Sequence, residues 1–287
     1  MKRHISLRGA VAVGLGLLAG PAVLRESAHA SQGENGQDDA PIVFQAAGPT
    51  IASIQSMVDA FRAALGGANN GNTPGPIVSG RREINWDGGG STATSPAPTP
   101  FDGFLIIRGA RFTTPGSGFV QAPVEGMATT FANPTYASIF QAFSPVRLFS
   151  PVGRNVTDAR FFVPGGGELP ATSSGFGAIF TDVDRERDGH RHPRHRSTSI
   201  VFYGMDGKRL YEADVPASRG DASLSFLGVL FDDARIASVR IKTGNVAPGP
   251  DDTARHDVVM MDDFIYGEPQ LIQNLSALQD PDEGDDD

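Results

Sequence analysis

The sequence predicts a mainly β chain: an antiparallel β-sandwich of the jelly-roll kind with one peripheral N-terminal helix. Three observations point there. From Phe101 onward, short β-rich runs follow one another with Gly or Pro between them, the texture of a sandwich or barrel. Glycine and proline number 35 and 21 of 287 residues, too many for a helical chain but ordinary where turns join many short strands. A clean helical period occurs in one segment only, residues 51–65.

The elements follow in order. Lys2, Arg3 and Arg8 precede an apolar run from Gly9 to Leu24, and Ala28-His29-Ala30 places small residues where a signal peptidase reads. Residues 1–30 therefore read as a secretory signal peptide, because the apolar run falls short of the ~20 residues a spanning helix needs. Residues 31–49 begin with the polar SQGENGQDDA and read as a flexible mature N-terminus. Residues 50–100 read as a helix and an irregular extension packed on the sandwich. In the helix, Ile51, Ile54, Val58, Phe61 and Leu65 recur at steps of three and four, with Thr50 as cap and Gly66-Gly67 as stop. A short strand is expected at Glu83–Trp86, then an exposed Ser/Thr/Pro loop over 91–100.

The sandwich domain is expected over 101–270, with strands at 103–108, 118–122, 137–143, 158–163, 176–182, 198–203, 208–215, 224–231, 236–243 and 256–266. Asp206-Gly207 between two β-rich runs predicts a two-residue hairpin with both central residues at positive φ. Ala237 to Lys242 alternates apolar and polar, so one face meets the core and the other water. Residues 271–287 read as a solvated acidic tail.

Composition narrows the chemistry. With no cysteine, thiol nucleophiles and thiolate metal sites are excluded. A net charge of −9 argues against general nucleic-acid binding, which needs a basic footprint. No apolar run after the leader is long enough to span a membrane.

The segments GRREINWDG (80–88), FQAFSPVRLFSPVG (140–153), SGFGAIFTDVD (174–184), STSIVFYGMDGKRL (197–210), SLSFLGVLFDDARIASVRIKTGN (223–245) and DVVMMDDFIYGEP (257–269) together resemble a group of bacterial secreted proteins built on a jelly-roll sandwich. That group is similar to the lectin-like sandwich domains of exported proteins bearing a PEP-CTERM sorting tail. The resemblance covers roughly residues 50–270 and implies secretion, a β-sandwich and a glycan- or surface-associated role. It brings no catalytic residues. Two features depart from the group: the C-terminus is acidic and lacks the sorting motif, and an Arg/His-rich insertion occupies 185–196.

Several constellations are candidates for chemistry. Asn85 and Asp87 beside Trp86, and Asp262-Asp263 before Phe264, supply oxygen ligands suited to calcium if the first and last strands pair. Strand alternation would send Asp262 and Asp263 to opposite faces, so that at most one joins a given site. The alternative is that these groups make turn hydrogen bonds and that an aspartate pairs with Arg81 or Arg82. Asp182-x-Asp184-x-Glu186-x-Asp188-Gly189 has the opening of a calcium loop, but the twelfth position counted from Asp184 is His195, not Glu. His190, His192 and His195 have spacings that permit zinc, in a loop crowded by arginine. Trp86 is the only tryptophan and is either a sugar-stacking platform or a core plug; Tyr136, Tyr203, Tyr211 and Tyr266 share that ambiguity.

No nucleophile elbow, zinc-protease helix, P-loop or dinucleotide fingerprint is present. Three functional classes follow. The first is a secreted, non-catalytic module that binds an extracellular or envelope polysaccharide, with a structural calcium. The second is a polysaccharide-active enzyme using Glu83, Asp87, Glu168, Asp182 or Asp262. The third is a self-associating protein of the extracellular matrix.

Overall fold

The computed structural model describes residues 40–88, 96–184, 198–250 and 256–272. The chain begins with β1 (Ile42–Gly48), α1 (Ile51–Ala64) and β2 (Arg81–Ile84). β3 (Phe101–Phe104) runs into the helical turn α2 (Leu105–Arg108), followed by β4 (Ala110–Thr113) and β5 (Gly118–Ala122). Two short helices, α3 (Val124–Thr130) and α4 (Tyr136–Ile139), lead to β6 (Leu148–Val152), β7 (Val156–Phe161), β8 (Ala171–Thr172) and β9 (Gly175–Thr181). Next come β10 (Ser199–Tyr203), β11 (Arg209–Asp214), β12 (Leu224–Leu230) and β13 (Ser238–Lys242). β14 (Met260–Gly267) and β15 (Gln270–Leu271) complete the order.

Two antiparallel sheets pack together as a β-sandwich. Sheet A runs β1-β12-β9-β14-β6-β5, with β2 also paired to β14; sheet B runs β11-β10-β13-β7-β4-β3. Alternation fills the space between them: Ile200 and Phe202 of β10 and Val239 and Ile241 of β13 enter a core shared with Phe149, Phe176 and Phe264 of sheet A. The outer face of sheet A is covered too. α1 buries Ile54, Met57, Val58 and Phe61 against Phe44, Ile179 and Phe226, and α3 and α4 bury Met127 and Tyr136 against Val120 and Leu148. That double cover explains why β9 (GFGAIFT) and β12 (LSFLGVL) are near-continuous apolar runs, whereas the strands of sheet B alternate.

Several expectations are corrected. Residues 42–48 are not a flexible terminus: Val43 and Phe44 are buried on opposite faces of a strand paired in full with β12. Boundaries at 49/50 and 100/101 therefore cut through one sandwich, since β1 and β2 are both strands of sheet A. The strand expected at 137–143 begins as α4, because the Asn133 side chain accepts the Thr135 N–H and turns the chain into a helix. The strand expected at 103–108 becomes α2 after Phe104, closed by Gly109 at φ 68°. The β10–β11 turn is a three-residue loop, Met205–Gly207, within the Gly204–Lys208 pair, and only Gly207 takes positive φ.

Thr50 does precede α1, but its hydroxyl meets Ser53 Oγ at 3.0 Å and caps no backbone N–H. Among the described residues no helix is long and apolar enough to cross a membrane. The leader, the Arg/His-rich segment 185–196 and the acidic tail beyond Ile272 lie outside the described residues.

Candidate functional site

The predicted oxygen ligands come together. β2 ends at Ile84, and Trp86 at φ 63° turns the chain so that its indole enters the core while Asp87 reaches the segment before β6. Asp87 Oδ1 accepts the N–H groups of Val146 and Arg147 at 2.5 and 2.9 Å, and its Oδ2 accepts from Asn85 Nδ2 at 2.9 Å. On β14 the pairing with β9 slips: Met261 faces Phe180 and Phe264 faces Ala178, so two residues, Asp262 and Asp263, oppose Ile179 alone. This bulge overrides alternation and brings both carboxylates to one hydroxyl, against the expectation of opposite faces. Ser144 Oγ lies 2.7 Å from Asp263 Oδ1, 3.3 Å from Asp262 Oδ1 and 3.3 Å from Asp87 Oδ2.

One hydroxyl proton cannot serve three carboxylates, so the charge is compensated elsewhere. Burial first, and then the neighbouring Asp263 charge, push the Asp262 carboxyl well above the usual range, against the opposing bond from the Phe143 N–H at 2.6 Å. Burial also raises Asp263, offset by hydrogen bonds from Ser144 and Asp262 and by the charge of Arg62. The contact between the two carboxyls raises Asp262 and lowers Asp263, so Asp262 is the one of the pair that keeps a proton more readily. Arg62 of α1 completes the cluster, its Nη2 reaching Glu83 Oε2 at 2.9 Å and Asp263 Oδ2 at 3.4 Å. The cations predicted for an aspartate go elsewhere: Arg81 pairs with Glu83, and Arg82 pairs with Glu268 inside the protein.

Two sequence readings change. Trp86 is a core plug rather than a ligand platform: it is 1% exposed, stacks on Phe149 with centroids 3.7 Å apart, and donates its N–H to the Asp262 carbonyl. A sugar has no access to its face. Of the carboxylates named for hydrolysis, Asp262 is 0% exposed and Asp182 9%, while Glu168 is engaged by Arg111 of β4, away from the others. For a metal, the chemistry of the donors is hard oxygen, but each carboxylate already accepts from a protein donor. Among the described residues no group of three or more His, Cys, Asp or Glu is arranged to hold an ion.

A second surface was not foreseen as a whole. On the outer face of sheet B the register aligns Arg111, Arg160, Ser238, Tyr203 and Arg209 in one row across β4, β7, β13, β10 and β11. Four inter-strand steps give it a length of roughly 19 Å. The acids on this face are engaged: Asp158 forks onto Arg240 at 2.7 and 3.0 Å, Glu212 meets Arg209 at 2.6 Å, and Asp102 meets Arg111 at 2.6 Å. Arg160 is exposed and has no carboxylate partner among the described residues. Tyr136 and Tyr266 are buried and Tyr211 packs against the core, whereas Tyr203 stands on this face opposite Ser238 of β13. Alternation in 237–242 gave Ser238 and Arg240 an outward direction from sequence; their cross-strand neighbours had no local signal.

No family model, curated protein or solved structure matches the chain.

Proposed function

We propose that the chain is an exported, non-catalytic β-sandwich that binds an extracellular or envelope polysaccharide, one bearing carboxylate or sulfate groups, on the outer face of sheet B. The observation that carries this reading is the row Arg111, Arg160, Ser238, Tyr203, Arg209, an aromatic ring set among guanidinium groups on a face free of covering helices among the described residues. A tyrosine ring matches the apolar face of a sugar, and guanidinium groups fork onto carboxylates or sulfates. The leader pattern of residues 1–30 supports export, to the exterior or to a periplasm if the host has an outer membrane. The burial of Asp262 and Asp263 favours binding over hydrolysis.

Calcium belongs to this proposal at Asn85, Asp87, Asp262 and Asp263, where the carboxylates would have to exchange their present protein donors for the ion. Its role there is structural, since the cluster joins α1, β2, the segment before β6 and β14.

Native affinity electrophoresis through gels containing polygalacturonate, alginate or a neutral glucan, with calcium and with chelator, tests the reading. Retardation by an anionic polymer without release of reducing sugar is expected, weakened several-fold in Tyr203→Ala and Arg160→Ala. Trp86 emission should stay unchanged on binding, because the indole is sealed in the core. No retardation on any polymer would overturn the reading, and release of reducing ends would transfer it to the enzyme class.

A further inference from the structure

Beyond any glycan, we propose that β1 is a docking edge for a second copy of this chain, pairing antiparallel with its own symmetry mate across a two-fold axis. Exposed sheet edges offer unpaired N–H and C=O groups, and soluble proteins blunt them with charge, brevity, bulges or a covering segment. The other edges here are treated in that way. β11 carries Arg209, Glu212 and Asp214. β3 has four residues, includes Asp102 and breaks register against β4. The edge of β5 is covered by Ala97, which exchanges both backbone hydrogen bonds with Phe119, and that of β2 by residues 68–70, which bond to Arg81.

Among the described residues β1 has none of these devices. Its seven residues, IVFQAAG, contain no charge and no proline, pair in unbroken register with β12 on one side, and meet no described hydrogen-bonding group on the other.

The occupant follows from symmetry and from two exposed side chains. Ile42, in β1 itself, and Ile51, three residues past its end at the start of α1, are 36% and 38% exposed. Phe44 packs with α1 and Val43 with the inter-sheet core, so Ile42 shares the α1 side of the strand. A two-fold centred on Gln45 sets Ile42 opposite Gly48 of the second copy, beside the start of its α1 where Ile51 stands. Both isoleucines are then covered at once. Because the far edge of sheet A is closed by Ala97, growth stops at a dimer and does not continue into a fibre. Two sheet B faces in one particle would also give a polysaccharide two points of attachment.

Sedimentation equilibrium of the exported form, residues 31–287, over the micromolar range tests this. A mass twice the monomer's is expected, with loss of the dimer in Gln45→Lys, which puts like charges opposite each other on the axis. Ile51→Glu, on the exposed first turn of α1, should give the same loss without touching the strand, so a folding defect in the first variant leaves the test intact. Circular dichroism should match wild type in both. A wild-type monomer at every concentration would overturn the proposal, as would a dimer that neither substitution weakens; glycan binding by such proteins would still stand or fall on the electrophoresis.

Discussion

Asp262 has a demanding environment: it is fully buried, next to a second carboxylate, with a backbone N–H on one oxygen and Ser144 near the other. Its folded-state pKa lies above that of an unfolded aspartate, so the folded protein retains a proton that the unfolded chain releases. That stabilisation is fully present below the unfolded value of about 3.9 and is lost as pH rises through the folded value. Glu83, Asp87, Asp263, Arg62 and Ser144 face the same cluster, so the wild-type curve alone would mix several titrations. Asp262→Asn separates them. An asparagine amide can donate to Asp263 and accept from Phe143 N–H at every pH, as the protonated acid does. Thermal melts from pH 4.5 to 8 should show the wild type losing stability relative to Asp262→Asn as pH rises. Parallel curves would mean that Asp262 is ionised. Calcium should raise the wild-type melting temperature and leave that of the variant unmoved. The four oxygen-bearing residues were legible in the sequence as polar groups beside apolar anchors. Their meeting point was not, because alternation separates Asp262 from Asp263 and only the extra residue opposite Ile179 reunites them. Ser144 had no signal at all, since its role comes from three segments distant in sequence.

α1 illustrates what an element's sequence reveals and what it leaves hidden. The three-four spacing of Ile54, Val58 and Phe61 predicted a helix with one apolar face, and that face is buried. The sheet surface receiving it was invisible. Gly177 of β9 and Gly228 of β12 are direct cross-strand partners, and the Phe61 ring lies over the flat patch they make. A Cβ added at Gly177 would come within 2.8 Å of that ring, and one at Gly228 within 2.9 Å. Phe61 is held on its other sides by Phe44 and Phe226, at centroid distances of 5.3 and 5.6 Å. Gly177→Ala should therefore lift α1 from the sheet and cost about 1–3 kcal/mol by overpacking. Gly177→Ala combined with Phe61→Leu should recover part of the loss, as urea denaturation midpoints would show. Additive losses in the double variant would mean that the two sites do not touch. β1 was missed for a related reason: its apolar residues face two different cores, so it lacks the polar face that marks a half-buried strand locally.

At the scale of the whole molecule, the β-sandwich was legible and its limits were not. Texture changes at Phe101, where regular strands begin, and it suggests that the first hundred residues are an accessory. The topology contradicts this. β1 is an outer strand of sheet A, β2 pairs with β14, and α1 closes one face of that sheet. Phe44, Ile54, Val58, Phe61 and Trp86 are buried side chains from this region, each contributing about 1.5–3 kcal/mol through removal from water. Together they match the whole net stability of an ordinary domain, about 5–15 kcal/mol. Arg82 adds a further dependence. Its guanidinium forks onto Glu268 at 2.5 and 2.6 Å with both side chains at most 1% exposed. Without Arg82, the Glu268 carboxylate would be left uncompensated, a loss of about 3–5 kcal/mol. A chain of residues 40–272 retains all of these contacts and should unfold in one cooperative urea transition. A chain of residues 101–272 should show no such transition and should expose apolar surface to a hydrophobic dye. A cooperative transition in the shorter chain would mean that the later strands form a core on their own and that the first hundred residues are an accessory after all.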